Sequence, residues 1–246
     1  MKFCSITPVK NASLMFEEEA VMLLAHLAEK HEDYSAIAAA SEKYKIMDNS
    51  IVELGGAFSM RRLVEQAEKC KADEIILPDV FENGPLTIER AIKSIKWLKR
   101  KGLLKKYKLM AVCHGKSRKE FAACFKLLEL IPEVGVIGIP KITQKWCGER
   151  RSLFEIFKNS DKEIHFLGCY DSLEEIRGLK SDLSVFSKVR SLDTCLPSLL
   201  ALEGKGCWES REGKTIDLEH SFIEGEVLEE YRKTMKQIRE ELDGGR

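Results

Sequence analysis

Residues 73–102 read DEIILPDVFENGPLTIERAIKSIKWLKRKG, and their reading decides how the rest of the chain is read. Ile75, Ile76 and Leu77 form an apolar run bounded by charge on one side and Pro78-Asp79 on the other, the pattern of a short buried strand. From Leu86 the apolar residues recur at helical spacing, and Gly102 supplies a stop. The stretch is therefore one strand followed by one helix.

The same alternation extends outward in both directions. The other candidate strands are KFCSIT (2–7), KIMDN (45–49), KLMAVCH (108–114), VGVIGI (134–139), EIHFLG (163–168) and VRSLD (189–193). Helical patterns separate them. MFEEEAVMLLAHLAEKH (15–31) opens with acids, as a helix N-terminus favours. SMRRLVEQAEKCKA has Ser59 as its N-cap, and SRKEFAACFKLLELI opens with the capping box Ser117-x-x-Glu120. ERRSLFEIFKNS and DSLEEIRGLKSD follow. Regular βα alternation predicts a parallel sheet covered by helices. Seven strands over this length predict a single α/β domain over 1–246, a (β/α)8 TIM-barrel-like fold with one strand irregular or missing. A charged C-terminal helix is expected at about 226–242. A doubly wound open sheet is the alternative, although no GxGxxG or Walker loop supports it.

In a barrel the chemistry collects at the C-terminal strand ends. Those ends carry Asp48, Asp79, His114-Gly115, Gly138, Gly168 and Asp193. A strand-end Asp by itself is an ordinary cap or turn residue. Three of them converging with a His and several glycines form a candidate site. Glycines let a flat ligand approach the backbone. Paired carboxylates suit exchange at a sugar C1′, one attacking the anomeric carbon and one handling the proton. Lyases and hydrolases on barrels use similar sets.

Composition narrows the setting. With 40 basic and 40 acidic side chains the formal net charge is +0, so a polyanion site needs a local basic patch. The 8 cysteines contain no CxxC pair, which predicts a reduced, cytoplasmic protein without bound metal or cofactor. Cys195, Cys207 and His220 are the set that folding could still bring together. No stretch reads as a signal peptide or membrane span.

More specifically, the chain resembles the tRNA-guanine transglycosylase family, (β/α)8 enzymes that exchange guanine for a 7-deazaguanine. The likeness runs in order through residues 45–197. IMDNS with the following ELGG is similar to the family's DSGGFQ, EIILPDV to its base-reading segment, and VCHG to its VQGG. VIGIP is similar to its IGGL-like turn, HFLGCYDSLEEI to YLMGVG-x-x-x-x-I, and SLDTCLPS to FDCVLPTR. The resemblance implies that Asp193 is the nucleophile and Asp48 the second catalytic residue. Asp79, His114, Gly115 and Gly138 would bind the base. Four features depart from the family. His114 stands where the family has Gln, and Ile139 replaces a glycine. Ser198-Leu199 replace Thr-Arg, and the CxCxxC zinc cluster is missing. The pattern is closest to the short phage and bacterial members linked to DNA modification, which ranks DNA above tRNA as partner and places a phage-encoded protein in the host cytoplasm. A free 7-deazaguanine would be the second substrate, and a homodimer or partner subunit is compatible with the pattern.

Two basic groups are available for phosphates. Lys141, Lys145, Arg150 and Arg151 follow the fifth candidate strand and are preferred here, because they fall at the mouth of the expected barrel. Lys93, Lys96, Lys99, Arg100, Lys105 and Lys106 read equally well as a solvated helix face. Trp146 reads as packing before stacking. Two other readings stay open: a catalytically silent paralogue that binds nucleic acid or partners an active subunit, and a barrel enzyme acting on small metabolites through a Schiff base on Lys108 or Lys141.

Overall fold

The computed structural model describes residues 1–169, 174–207, 209 and 217–243. Eight strands close into one parallel barrel in chain order: β1 (Lys2–Ser5), β2 (Ala20–Leu24), β3 (Tyr44–Asp48), β4 (Glu74–Ile76), β5 (Lys108–Val112), β6 (Val136–Pro140), β7 (Glu163–Leu167) and β8 (Val189–Thr194). β8 returns to pair with β1, Cys4 lying opposite Asp193. This closure excludes the doubly wound alternative.

The helices on the outside are α1 (Ala25–Lys30), α2 (Glu32–Ala40), α3 (Ile51–Leu54), α4 (Met60–Cys70), α5 (Gly84–Arg100) and α6 (Arg118–Glu129). They continue as α7 (Gln144–Cys147), α8 (Phe154–Phe157), α9 (Glu174–Lys180), α10 (Leu183–Lys188), α11 (Leu196–Glu203) and α12 (Gly225–Asp243). Ser59 caps α4 by accepting from the Arg62 N–H, and Ser117 caps α6 by accepting from Glu120 N–H.

The missing strand lies inside the stretch expected to be one helix over 15–31. That stretch splits into 3-10 turns over Val9–Glu17, then β2, then α1. All five residues of β2 are buried. A strand covered on both faces has no polar alternation to mark it. β2 also runs into α1 without a Gly or Pro break, so its apolar run merges with the helical one. The acids read as a helix start have another role. The Tyr231 hydroxyl donates to Glu18 at 2.7 Å, while Arg239 and Arg232 pair with Glu18 and Glu17 at 2.9 Å each. These bonds hold α12 against the N-terminal segment, and the buried Asn11 exchanges two hydrogen bonds with the Ile223 backbone.

Alternate side chains divide the core. Cys4, Met22, Ile46, Ile76, Met110 and Val136 fill the barrel. Phe3, Val21, Met47, Ile75, Ile137 and Phe166 face the helices. At the N-terminal end of the barrel a charged network replaces apolar packing. Arg190 pairs with Glu74 at 2.8 Å and Glu163 at 3.0 Å, Tyr44 donates to Glu74, and Lys108 pairs with Glu163. A register shift between β7 and β8 leaves Arg190 outside the ladder, so it and Ser191 can both turn inward. Among the described residues no helix is long and apolar enough to cross a membrane.

Candidate active site

Asp48 ends β3, Asp79 follows β4, His114 follows β5 and Asp193 lies near the end of β8. All four therefore stand at the C-terminal mouth. The Asp48 carboxyl is half-buried and pushed well above the usual carboxylate range. Removal from water is the main cause, followed by the charge of Glu53, with Asp193 and Asp79 adding to it. The Ser50 N–H, donating to Asp48 Oδ2 at 2.6 Å, acts in the opposite direction. Glu53 sits exposed on α3 at the rim, yet its carboxyl is also raised, first by desolvation and then by Asp193. The mouth thus gathers four carboxyl groups. Its character suits a ligand rich in N–H donors or a centre that becomes positive during reaction.

Each of two buried carboxylates is held by its own histidine. Glu82 N–H donates to His114 Nδ1 at 3.3 Å, which leaves Nε2–H to donate to Asp79 Oδ2 at 2.5 Å. Asn49 donates to the other oxygen at 2.7 Å. Both ring nitrogens of His114 are thereby engaged, so it positions Asp79 rather than presenting a free nitrogen to a base. Phe81 meets the ring edge-on at 5.9 Å between centroids.

His165 plays the corresponding part for Asp193. Arg190 Nε donates to Ser191 Oγ, Ser191 Oγ lies 2.7 Å from His165 Nδ1, and His165 Nε2 lies 3.0 Å from Asp193 Oδ1. With the serine proton on Nδ1, Nε2–H faces the carboxylate. Gly168 N–H donates to the same oxygen at 3.1 Å. Gly168 holds φ at +69°, a left-handed conformation that glycine adopts without a steric penalty. His165 and Glu53 are functional candidates that sequence reasoning passed over. The signal for His165 was its place between Ile164 and Phe166: alternation turns it inward when both neighbours face out.

The two glycines expected beside a base have packing reasons of their own. A Cβ on Gly115 would lie 2.4 Å from Phe121 N, so glycine is required for α6 to approach. The Gly115 carbonyl accepts from Trp146 Nε1 at 3.1 Å, and Trp146 packs on Phe121, a packing role. Gly115→Ala is expected to destabilise the fold by roughly 1–3 kcal/mol through backbone displacement, read as a lower denaturation midpoint. Gly138 lies within β6, its carbonyl accepting from Cys113 N–H. A Cβ there would meet Leu167 Cδ1 at 2.8 Å, inside the barrel wall.

The preferred basic group is largely neutralised. Arg150 is 1 % exposed; it pairs with Glu175 at 2.7 Å and donates to the Ile139 and Leu167 carbonyls. That burial corrects the expectation that Arg150 meets a phosphate. Lys141 lies 3.4 Å from the same carboxylate, and Arg151 pairs with Glu149. Lys145 remains exposed. Among the described residues no three His, Cys, Asp or Glu side chains are placed to hold a metal ion. Cys207 is buried, whereas His220 is exposed and bonded to Asp217.

No family model and no curated protein matches the sequence. The fold is shared with known enzymes. The tryptophan synthase alpha subunit from Legionella pneumophila strain Paris superposes with TM-score 0.52 at 11% identity, covering 96% of this chain and 92% of that one. The beta-methylaspartase from Clostridium tetanomorphum superposes at 0.51 with 12% identity, over 97% of this chain and 58% of its own. At such identity the likeness is one of fold. The chain is a single-domain (β/α)8 barrel of the architecture those enzymes use.

A carboxyl whose folded pKa is raised favours the folded state at low pH, and that contribution is lost as pH rises through the raised value. Asp48→Asn removes the cost of ionising there. Its melting temperature is expected to exceed that of the unsubstituted protein at alkaline pH, with the gap closing on acidification. A gap that is constant across the pH series would contradict the assignment.

Proposed function

We propose that the protein is a pentosyltransferase that replaces guanine in a nucleic acid with a 7-deazaguanine through a covalent intermediate on Asp193. The observation that carries the reading is the pairing of two unlike carboxyl groups at one mouth. Asp193 accepts N–H donors from His165 and Gly168, whereas Asp48 is driven toward its protonated form. Opposed environments of this kind divide nucleophile from acid.

In the proposed reaction an Asp193 oxygen attacks C1′ as the C1′–N9 bond breaks. Guanine leaves with the bond's electron pair and takes the Asp48 proton. The incoming base returns its N9 proton to Asp48, its nitrogen attacks C1′, and the ester to Asp193 breaks. Asp79, held by Asn49 and His114, would accept from the N1–H and 2-amino edge of the base through its remaining lone pairs. The target nucleotide must leave its stack to enter the mouth. DNA is ranked above tRNA on the sequence pattern alone. The lysine-dependent alternative lacks support, because Lys108 is paired with Glu163 at the opposite end of the barrel and Lys141 lies against Glu175.

The test is label release. Nucleic acid carrying labelled guanine is incubated with protein, and a free 7-deazaguanine is added. Release that depends on the added base is the expected result, from DNA more than from tRNA. Efficient exchange on tRNA with none on DNA would reverse the ranking, and no release from either would refute the activity.

A further inference from the structure

We propose that the groove between the start of α4 and the length of α5 is a track for the phosphodiester backbone beside the nucleotide held in the mouth. The groove has a volume of about 900 Å³ and includes Arg61, Arg90, Lys93, Lys96, Lys99 and Arg100 in its lining, with no acidic side chain there. In a chain of formal net charge +0, such a one-signed wall is a local excess.

The groove is tied to the mouth through neighbouring residues. Pro78, the residue before Asp79, lines it, and Arg90 Nη1 donates to the Asp79 carbonyl at 2.9 Å. Phe58, on the facing wall, donates its N–H to Asn49 O, and Asn49 holds Asp79. From Arg90 to Arg100 the helix rises about 15 Å, long enough to follow several phosphates of one strand.

The cations there are available. Lys96, Lys99 and Arg100 are exposed and have no acidic partner among the described residues. Lys93 and Arg61 pair with Glu89 and Glu65 on their own helices, exposed i,i+4 contacts that a phosphate can displace. The contrast with Arg150, buried against Glu175, moves the backbone contact from the segment after β6 to this face. Trp97, half-buried in the groove, offers a ring face for a base or sugar.

This inference rests on the exchange reading for the occupant of the mouth, but its test reads binding alone. Fluorescent single-stranded DNA, its duplex and tRNA are titrated with the full-length protein over a series of KCl concentrations. The Lys96→Ala/Lys99→Ala/Arg100→Ala variant is titrated in parallel, with Lys145→Ala as comparison and a thermal melt to confirm folding. On single-stranded DNA the triple variant is expected to lose about two units of the slope of log K against log salt, and on the order of tenfold in affinity near physiological salt. Lys145→Ala should change little. The arm on which the triple variant loses the most affinity at fixed salt shows which strand the track follows, because the slope per phosphate itself differs between duplex and single strand. An unchanged slope in a folded triple variant, or no binding by the unsubstituted protein, would overturn the track. Slope loss without any base exchange leaves the track standing and removes the transglycosylase reading. Exchange with an unchanged slope does the reverse.

Discussion

Asp193→Asn is expected to abolish base exchange, by about a thousandfold or more, while the protein still folds. The amide oxygen can accept from His165 Nε2 and Gly168 N–H as the carboxylate does, so the local hydrogen bonds persist. What would be lost, in the proposed reaction, is the charge that forms the bond to C1′ and balances an oxocarbenium-like centre. A denaturing gel separates this from a structural role. The unsubstituted protein should carry a covalent nucleic-acid adduct and Asp193→Asn none, with the two melting close together. Asp48→Asn should also lose turnover, because the departing base then has no proton donor. An Asp193→Asn protein that forms the adduct and exchanges base at the normal rate would remove Asp193 from the mechanism.

The largest stability effect is expected at Arg150, which takes no part in the proposed chemistry although its guanidinium feels the charge of Asp193. Arg150→Met leaves the Glu175 carboxylate without its guanidinium and the Ile139 and Leu167 carbonyls without their donor. Breaking a buried pair by deleting one partner costs roughly 3–5 kcal/mol. In a domain of this size that corresponds to a fall in melting temperature of about 10 °C. Burial alone would raise the Glu175 pKa, but the charge and bonds of Arg150, with help from Lys141, hold it below the usual glutamate value. A depressed carboxylate contributes stability above its unfolded pKa and loses it as pH falls through the folded one. The Arg150→Met penalty should therefore be full at neutral pH and shrink in acid. Arg150→Met/Glu175→Met should recover much of the loss, since it leaves no unpaired charge. The salt dependence of nucleic-acid binding should not follow Arg150. A single variant that melts like the unsubstituted protein would show that the pair does not hold this corner of the barrel.

The sequence by itself determined the βα rhythm, seven of the eight strands and the strand-end positions of Asp48, Asp79, His114 and Asp193. Those features are local: a short apolar run, a cap, a glycine stop and a polar residue at the end of a run can all be read within a dozen positions. β2 was illegible because AVMLL is buried on both faces and runs straight into α1, so neither alternation nor a break marks it. Only the tertiary structure decided which carboxylate each histidine serves. His165 looks like one polar residue in an apolar strand until barrel closure brings Ser191 and Asp193 to its two nitrogens, 26 and 28 positions away. It also decided which cations face water. Arg150 and Arg100 are equivalent in composition, but one is drawn inside by a carboxylate and two carbonyls from other segments, while the other remains on an open groove. A charge's partner is set by what the fold places against it, and at separations of tens of residues the neighbouring sequence carries no record of that partner.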